Sequence, residues 1–221
     1  MLVDLSHTIR AGLVTYPGLP APSISDHLTR EASRDVYAAG TEFAIGAITM
    51  VGNTGTYIDS PFHRYADGAD LAGLDLNTLV DLPTVVVHRR DIAARSVDVS
   101  EFPDDIDAGC AVLIDTGWDR HFGTAAYSID APFLSEAATD HLVRLGVALV
   151  GIDSVNIDDA SPESAGRRPV HTALLGNGIH VVEHLTNLAA LPARGARFTA
   201  VPPRVEGFGT FPVRAFATVP D

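Results

Sequence analysis

Three short runs of uninterrupted apolar residues constrain this chain more than any other feature: Thr84-Val-Val-Val-His88, Ala111-Val-Leu-Ile-Asp115 and Ala148-Leu-Val-Gly-Ile-Asp153. They are rich in β-branched side chains, shorter than ordinary helices, and do not alternate with polar residues. Strands of that kind must be covered on both faces, which is the situation in a largely parallel sheet. Between the second and third runs, Ser135 is placed to N-cap a helix over Glu136 to Leu145, with Ala138, Leu142 and Leu145 inward and Gly146 as its stop. The result is a β-α-β unit and an α/β fold. Its two strands end in Asp115 and Asp153, at the carboxyl ends where such sheets bind ligands.

The rest of the chain is read around that unit. Leu2 to Leu5 reads as an opening strand, followed by irregular chain through Tyr16-Pro-Gly18 and Leu19-Pro-Ala-Pro22. Thr41 to Val51 has period-two patterning and suits a strand running into Gly52-Asn-Thr-Gly55. A second helix is expected from about Gly178, with Ile179, Val182, Leu185 and Leu188 inward and His180, Glu183, His184 and Asn187 as its polar face. Phe198 to Ala217 reads as two strands around the turn Glu206-Gly-Phe-Gly-Thr210. No repeat or low-complexity tract divides the chain, so one domain over residues 1–221 is expected.

Charge narrows the partners. The chain has 28 acidic residues against 15 basic ones, every basic residue is Arg, and the net charge is −13, so the field repels polyanions. Nucleic acid and anionic membrane are not expected partners, and a small molecule is. Phe43 to Ile58 is too short to span a bilayer. The first ten residues carry an acid where a signal peptide carries base. Cys110 is the single cysteine and is expected to be packing in a buried strand. The expectation is a soluble cytoplasmic protein.

Two segments carry chemistry. In Asn53-Thr-Gly-Thr-Tyr-Ile-Asp-Ser-Pro-Phe-His63, Pro61 interrupts regular structure and holds Asp59 and His63 on a rigid turn, where a carboxylate and an imidazole can bind metal or share a proton. An Asp capping a turn beside a surface His is the plainer alternative. Downstream, His180-Val-Val-Glu183-His184 has the H-x-x-E-H spacing of helical zinc sites, a short and weak match, and the pattern alone favours the polar face of an amphipathic helix.

Across its length the sequence resembles the metal-dependent cyclase family, which includes bacterial kynurenine formamidases and isatin hydrolases. The resemblance runs through Asp4-Leu-Ser6, Tyr16-Pro-Gly18, Gly55-Thr56-x-x-Asp59-x-Pro61-x-His63, Thr116-Gly-Trp118, Gly151-Ile-Asp153, His171-x-x-Leu-Leu-x-x-Gly-Ile179 with Glu183, and Glu206-Gly-x-Gly-x-x-Pro212-Val-Arg-Ala215. It implies a single-domain kynurenine formamidase-like fold of the swivelling β/β/α type with a mixed central sheet, and a homodimer or homotetramer. The family motif is H-x-G-T-H-x-D-x-P-x-H. Carried across residue by residue, it implies Asp59, with the downstream His171 and Glu183, as metal ligands and His63 as the acid/base. It also implies that Tyr16 lines the substrate pocket.

The departure from the motif lies at its first two histidines, where this chain has Asn53 and Tyr57. An amide oxygen is a weak ligand for zinc or manganese and a neutral phenol is rarely one. What remains is at most one divalent ion, zinc or manganese, on Asp59, His171 and Glu183, with Asn53 or Tyr57 free to donate to an oxyanion. Hydrolysis of a small cyclic or aryl amide or lactone is the first expectation. A metal-free cyclase, dehydratase or isomerase using His63, Tyr57, Asp59 and Glu183 is the alternative, and a non-catalytic ligand-binding relative the third. His180 and His184 are expected behind the site or at the surface.

Overall fold

The computed structural model describes residues 1–90 and 92–220. In chain order its strands are β1 (Leu2–Asp4), β2 (Ser23–Leu28), β3 (Ile45–Thr49), β4 (Tyr57–Asp59), β5 (Leu82–His88), β6 (Ser96–Val97), β7 (Ala111–Asp115), β8 (Phe133–Leu134), β9 (Leu149–Ile152), β10 (His180–Glu183), β11 (Arg194–Thr199), β12 (Thr210–Pro212) and β13 (Phe216–Thr218). The helices are α1 (Arg30–Ser33), α2 (Glu136–Leu145) and α3 (Pro169–Gly176).

Nine strands form one mixed sheet in the order β1-β13-β11-β5-β7-β9-β10-β4-β12. The three apolar runs, as β5, β7 and β9, lie side by side and parallel at its centre, with β10 extending the parallel block. Their lack of alternation follows from cover on both faces. Val85, Val87, Val112, Ile114, Val150, Ile152 and Val181 pack into the cluster that holds Leu142 of α2 and Leu174 of α3. Their neighbours Val86, Leu113, Leu149 and Val182 pack on the opposite side with Leu5, Leu188 and Phe198. The antiparallel strands β11, β13 and β1 close one edge and β4 and β12 the other.

The helix over Glu136–Leu145 has the expected bounds. Ser135 Oγ accepts from Ala138 N at 3.1 Å, and Gly146 closes the helix at φ 68°. Ser135→Ala is expected to cost about 1 kcal/mol of stability by loss of this cap, read from urea denaturation.

The expected helix from Gly178 is not present. His180–Glu183 is β10, parallel to β9 and antiparallel to β4, and each of its four residues is buried. The i, i+3 spacing of Ile179, Val182 and Leu185 mimics a helical stripe, but Val181 and Val182 face opposite covered sides of the sheet. Tertiary cover on both faces, which local pattern does not reveal, overrides the apparent period. The helical zinc pattern falls with it, since residues 180 and 184 share no helix face. The helix of this region lies earlier, as α3, with Pro169 in its first turn.

Two other expectations change. The tail contains three strands; β11 pairs with β5 and β13 while β12 pairs with β4, so they do not form a hairpin around 206–210. Chain expected to be irregular before residue 40 contains β2, which pairs with β3 as a separate two-stranded arm whose Ile24, Ile45 and Ile48 are exposed. Among the described residues no helix is long and apolar enough to cross a membrane.

Candidate active site

Strand register assembles the site. On β4 and β10, Tyr57 stands directly opposite Glu183, and Asp59 stands opposite both Val181 of β10 and Thr210 of β12. Residues two apart on a strand share a face. Tyr57, Asp59, Glu183 and Thr210 therefore project together, on the side where Val181 meets the α3 cluster. Helix α3 brings His171 onto this face.

Asp59, His171 and Glu183 are all buried, and one ligand atom from each lies within 4.8 Å of the others. His171 Nε2 is 3.5 Å from Asp59 Oδ2 and 3.6 Å from Glu183 Oε1. Its other nitrogen, Nδ1, is held at 2.6 Å by Asp158 Oδ2. That carboxylate also accepts the Val170 and His171 backbone N–H groups, fixing the start of α3. A carboxylate on Nδ1 puts the proton there and turns the Nε2 lone pair inward, the arrangement seen behind histidine metal ligands.

The electrostatics ask for positive charge. Among the described residues, Asp59 Oδ2 is buried with no hydrogen-bond partner, an expensive condition for a carboxylate oxygen. Burial, with the Asp59 charge beside it, pushes the Glu183 carboxyl up to about 7, against the opposing pull of His171. Burial also works against a charged His171. The carboxylates of Asp158, Asp59 and Glu183 around it outweigh that and raise it well above the ordinary imidazole value, and an ion at Nε2 would take the place of that proton. One imidazole nitrogen and two carboxylate oxygens around an orphaned lone pair fit a zinc or manganese ion.

His63 sits beside this cluster on the short 3₁₀ turn Pro61–His63, its side chain 38% exposed where those of Asp59 and Glu183 are closed off. The Thr210 hydroxyl donates to Asp59 Oδ1 and lies 2.7 Å from His63 Nδ1. Its one proton being given to the carboxylate, it accepts from Nδ1–H, which leaves Nε2 of His63 as the nitrogen turned away from Thr210. Thr210 escaped the sequence reading because a lone Thr in a tail strand carries no spacing signal.

Gly209 explains how that turn comes so close. A Cβ there would stand 2.5 Å from His63 N and 2.7 Å from His63 Cα, both rigid backbone. Gly209→Ala is expected to move His63 off Thr210 and lower kcat by about 10²-fold while far-UV circular dichroism is unchanged.

Tyr57 is 2% exposed and donates its hydroxyl proton to Glu183 Oε2 at 2.6 Å. Burial and the charges of Glu183 and Asp59 raise its pKa well above 10, opposed by a hydrogen bond from the Asn53 side chain. The phenol is thus a neutral donor to Glu183. Asn53 beside it is half-buried. Tyr16 is half-buried as well, packed with Trp118 and Phe122 against Tyr127, and its hydroxyl is 3.5 Å from Arg168 Nη2 at the head of α3.

His184 is not at the surface. It is fully buried behind Tyr57, and burial drives its imidazole down to about 3. His180 is buried at the far end of β10, with Nε2 2.9 Å from Thr78 Oγ1. Asp115 and Asp153 stand at strand ends as expected but are engaged locally. Asp115 binds His88 and Arg90, and Asp153 binds the Thr116 and Gly117 backbone.

Known proteins share this chain's length and fold. A kynurenine formamidase from Geobacillus thermodenitrificans is 28% identical over 201 residues, covering 86% of this chain and 88% of the relative. Another from Erythrobacter litoralis is 28% identical over 182 residues, covering 82% of this chain and 77% of the relative. Among solved structures, isatin hydrolase A from Ralstonia solanacearum superposes with a TM-score of 0.83 at 24% identity, covering 100% of this chain and 92% of that one. A "predicted metal-dependent hydrolase" from Bacillus stearothermophilus gives 0.76 at 23% identity, covering 98% and 97%. The mixed α/β architecture is that of these proteins. The family described as "Putative cyclase" matches residues 3–159, well over half of the chain, and the chain belongs to that Cyclase family.

Proposed function

We propose that this protein hydrolyses a small aryl or cyclic amide, or a lactone, at the cluster of Asp59, His171 and Glu183. The observation that carries this reading is the unpartnered, buried Asp59 Oδ2 facing His171 Nε2, with His63 beside it. Asp59, His171 and Glu183 would hold one zinc or manganese ion; when bound, it supplies a Lewis acid for the carbonyl and lowers the pKa of water. His63 Nε2, turned away from Thr210 by the Nδ1–Thr210 contact, takes the proton from the attacking water and returns it to the departing nitrogen or oxygen. The new bond is oxygen to carbonyl carbon and the broken one is carbon to the leaving atom. Because the Tyr57 proton is engaged by Glu183, the half-buried Asn53 amide, which has a second N–H beyond the one it gives Tyr57, is the better donor to the developing oxyanion. Tyr16 and its aromatic neighbours form an apolar wall suited to an aryl ring.

The kynurenine formamidases and isatin hydrolases support an aryl amide as substrate class. The test is a hydrolysis assay over aryl formamides, isatin and small lactones, before and after exhaustive chelation. Turnover that stops on chelation and returns with zinc or manganese is expected. Turnover that survives chelation would overturn the metal-dependent reading in favour of a metal-free reaction run by His63, Asp59 and Glu183. The exposed Ile24, Phe43, Ile45 and Ile48 on and beside the β2–β3 arm support self-association as a dimer or tetramer.

A further inference from the structure

His184 occupies a position that a continuing strand would not give it. It follows Glu183 directly, and successive side chains of a strand point to opposite faces. Yet both reach the same phenol: Glu183 Oε2 is 2.6 Å and His184 Nε2 is 3.3 Å from Tyr57 Oη. The cause is φ of 56° at His184, the left-handed region that few residues other than glycine adopt. The turned peptide is locked, since its carbonyl accepts from Thr56 Oγ1 at 2.5 Å and the next N–H donates to Ile152 O at 3.0 Å. Strain held this way in a buried residue marks a position that the surrounding structure requires.

The hydrogen bonds also have a direction. A phenol has one proton, and the carboxylate at 2.6 Å takes it from Tyr57. His184 Nε2 must then be the donor to Tyr57, leaving Nδ1 bare. Tyr127 Oη, 2.8 Å from Nδ1, is its donor. The chain therefore runs one way: Tyr127 O–H to His184 Nδ1, His184 Nε2–H to Tyr57, Tyr57 O–H to Glu183 Oε2. The other carboxylate oxygen, Oε1, accepts from Ile157 N at 2.6 Å and faces His171.

We propose that Tyr127 and His184 are positioning residues, which fix the Tyr57 proton on Glu183 Oε2 so that only Oε1 is presented to the reactive cluster. This rests on the reading of Glu183 as part of that cluster. Without the Tyr127 hydroxyl, Nδ1 of the buried His184 has no partner, and the ring is no longer held from behind against Tyr57.

The experiment is ¹⁵N NMR of histidine-labelled protein at neutral pH, with His184 assigned from the signal lost in His184→Gln, alongside zinc and manganese titrations by calorimetry. Wild type is expected to show His184 as the Nε2–H tautomer. Tyr127→Phe, which keeps the ring and its packing, is expected to keep that tautomer, shift the Nδ1 signal as its hydrogen bond is lost, and weaken ion binding by about tenfold or more. A wild-type His184 protonated on Nδ1, or an Nδ1 signal or ion affinity unchanged in Tyr127→Phe, overturns the proposal. If His184→Gln fails to fold, through-bond correlation from the His184 backbone assigns the ring, so the wild-type spectrum still decides. Absence of ion binding to wild type would instead refute the metal-site reading and leave the tautomer result standing.

Discussion

Asp59→Asn is expected to yield a folded protein that no longer retains a divalent ion. The substitution is nearly isosteric, and an amide oxygen in place of Oδ1 can still accept from Thr210. The amide nitrogen, however, takes the place of Oδ2, the buried oxygen that has no partner and faces His171 Nε2 at 3.5 Å. It offers N–H groups where an ion needs a lone pair. Elemental analysis should fall from one ion per wild-type chain to none. A ligand at a hundred times its Kd stabilises a fold by about 2.7 kcal/mol, which for a chain of this length corresponds to about 5–10 °C in melting temperature. That ion-dependent rise should be present in wild type and absent in the variant. An ion retained by the variant, or a wild type whose melting no ion affects, would refute the assignment.

His63→Ala separates proton transfer from ion binding. His63 is half open, touches the cluster through Thr210, and stands 3.8 Å from Asp59 Oδ1 without being needed to complete the ligand set. Its removal should lower kcat by about 10²–10⁴-fold, the usual worth of a positioned acid/base, while ion content and melting temperature stay near wild type. Loss of the ion together with activity would instead place His63 among the ligands. Comparison with Gly209→Ala adds resolution, because that variant retains the imidazole and only shifts it. Exogenous imidazole should partly restore His63→Ala and leave Gly209→Ala unimproved.

Much of the architecture was legible in sequence because it is enforced locally. Ser135 and Gly146 delimit α2 through bonds made within their own turns. The runs that became β5, β7 and β9 announce a doubly covered sheet by composition alone. The segment at 178–188 was misread because its apolar spacing is compatible with two periods, and pairing with β9 and β4 decided between them.

For the site, sequence by itself determined the chemical inventory. Asp59, His63, His171 and Glu183 were nameable from motif and resemblance, as was the replacement of two histidines by Asn53 and Tyr57. Only the tertiary structure decided what these groups do to one another. Tyr57 meets Glu183 because β4 and β10 pair in that register. His63 Nε2 is turned away from Thr210 because that residue, 147 positions along the chain, stands between Nδ1 and Asp59. His171 is oriented by Asp158, and Tyr57 is backed by His184 and Tyr127. Hydrogen-bond direction, burial and the charge balance of a cluster belong to groups distant in sequence, so no local pattern encodes them.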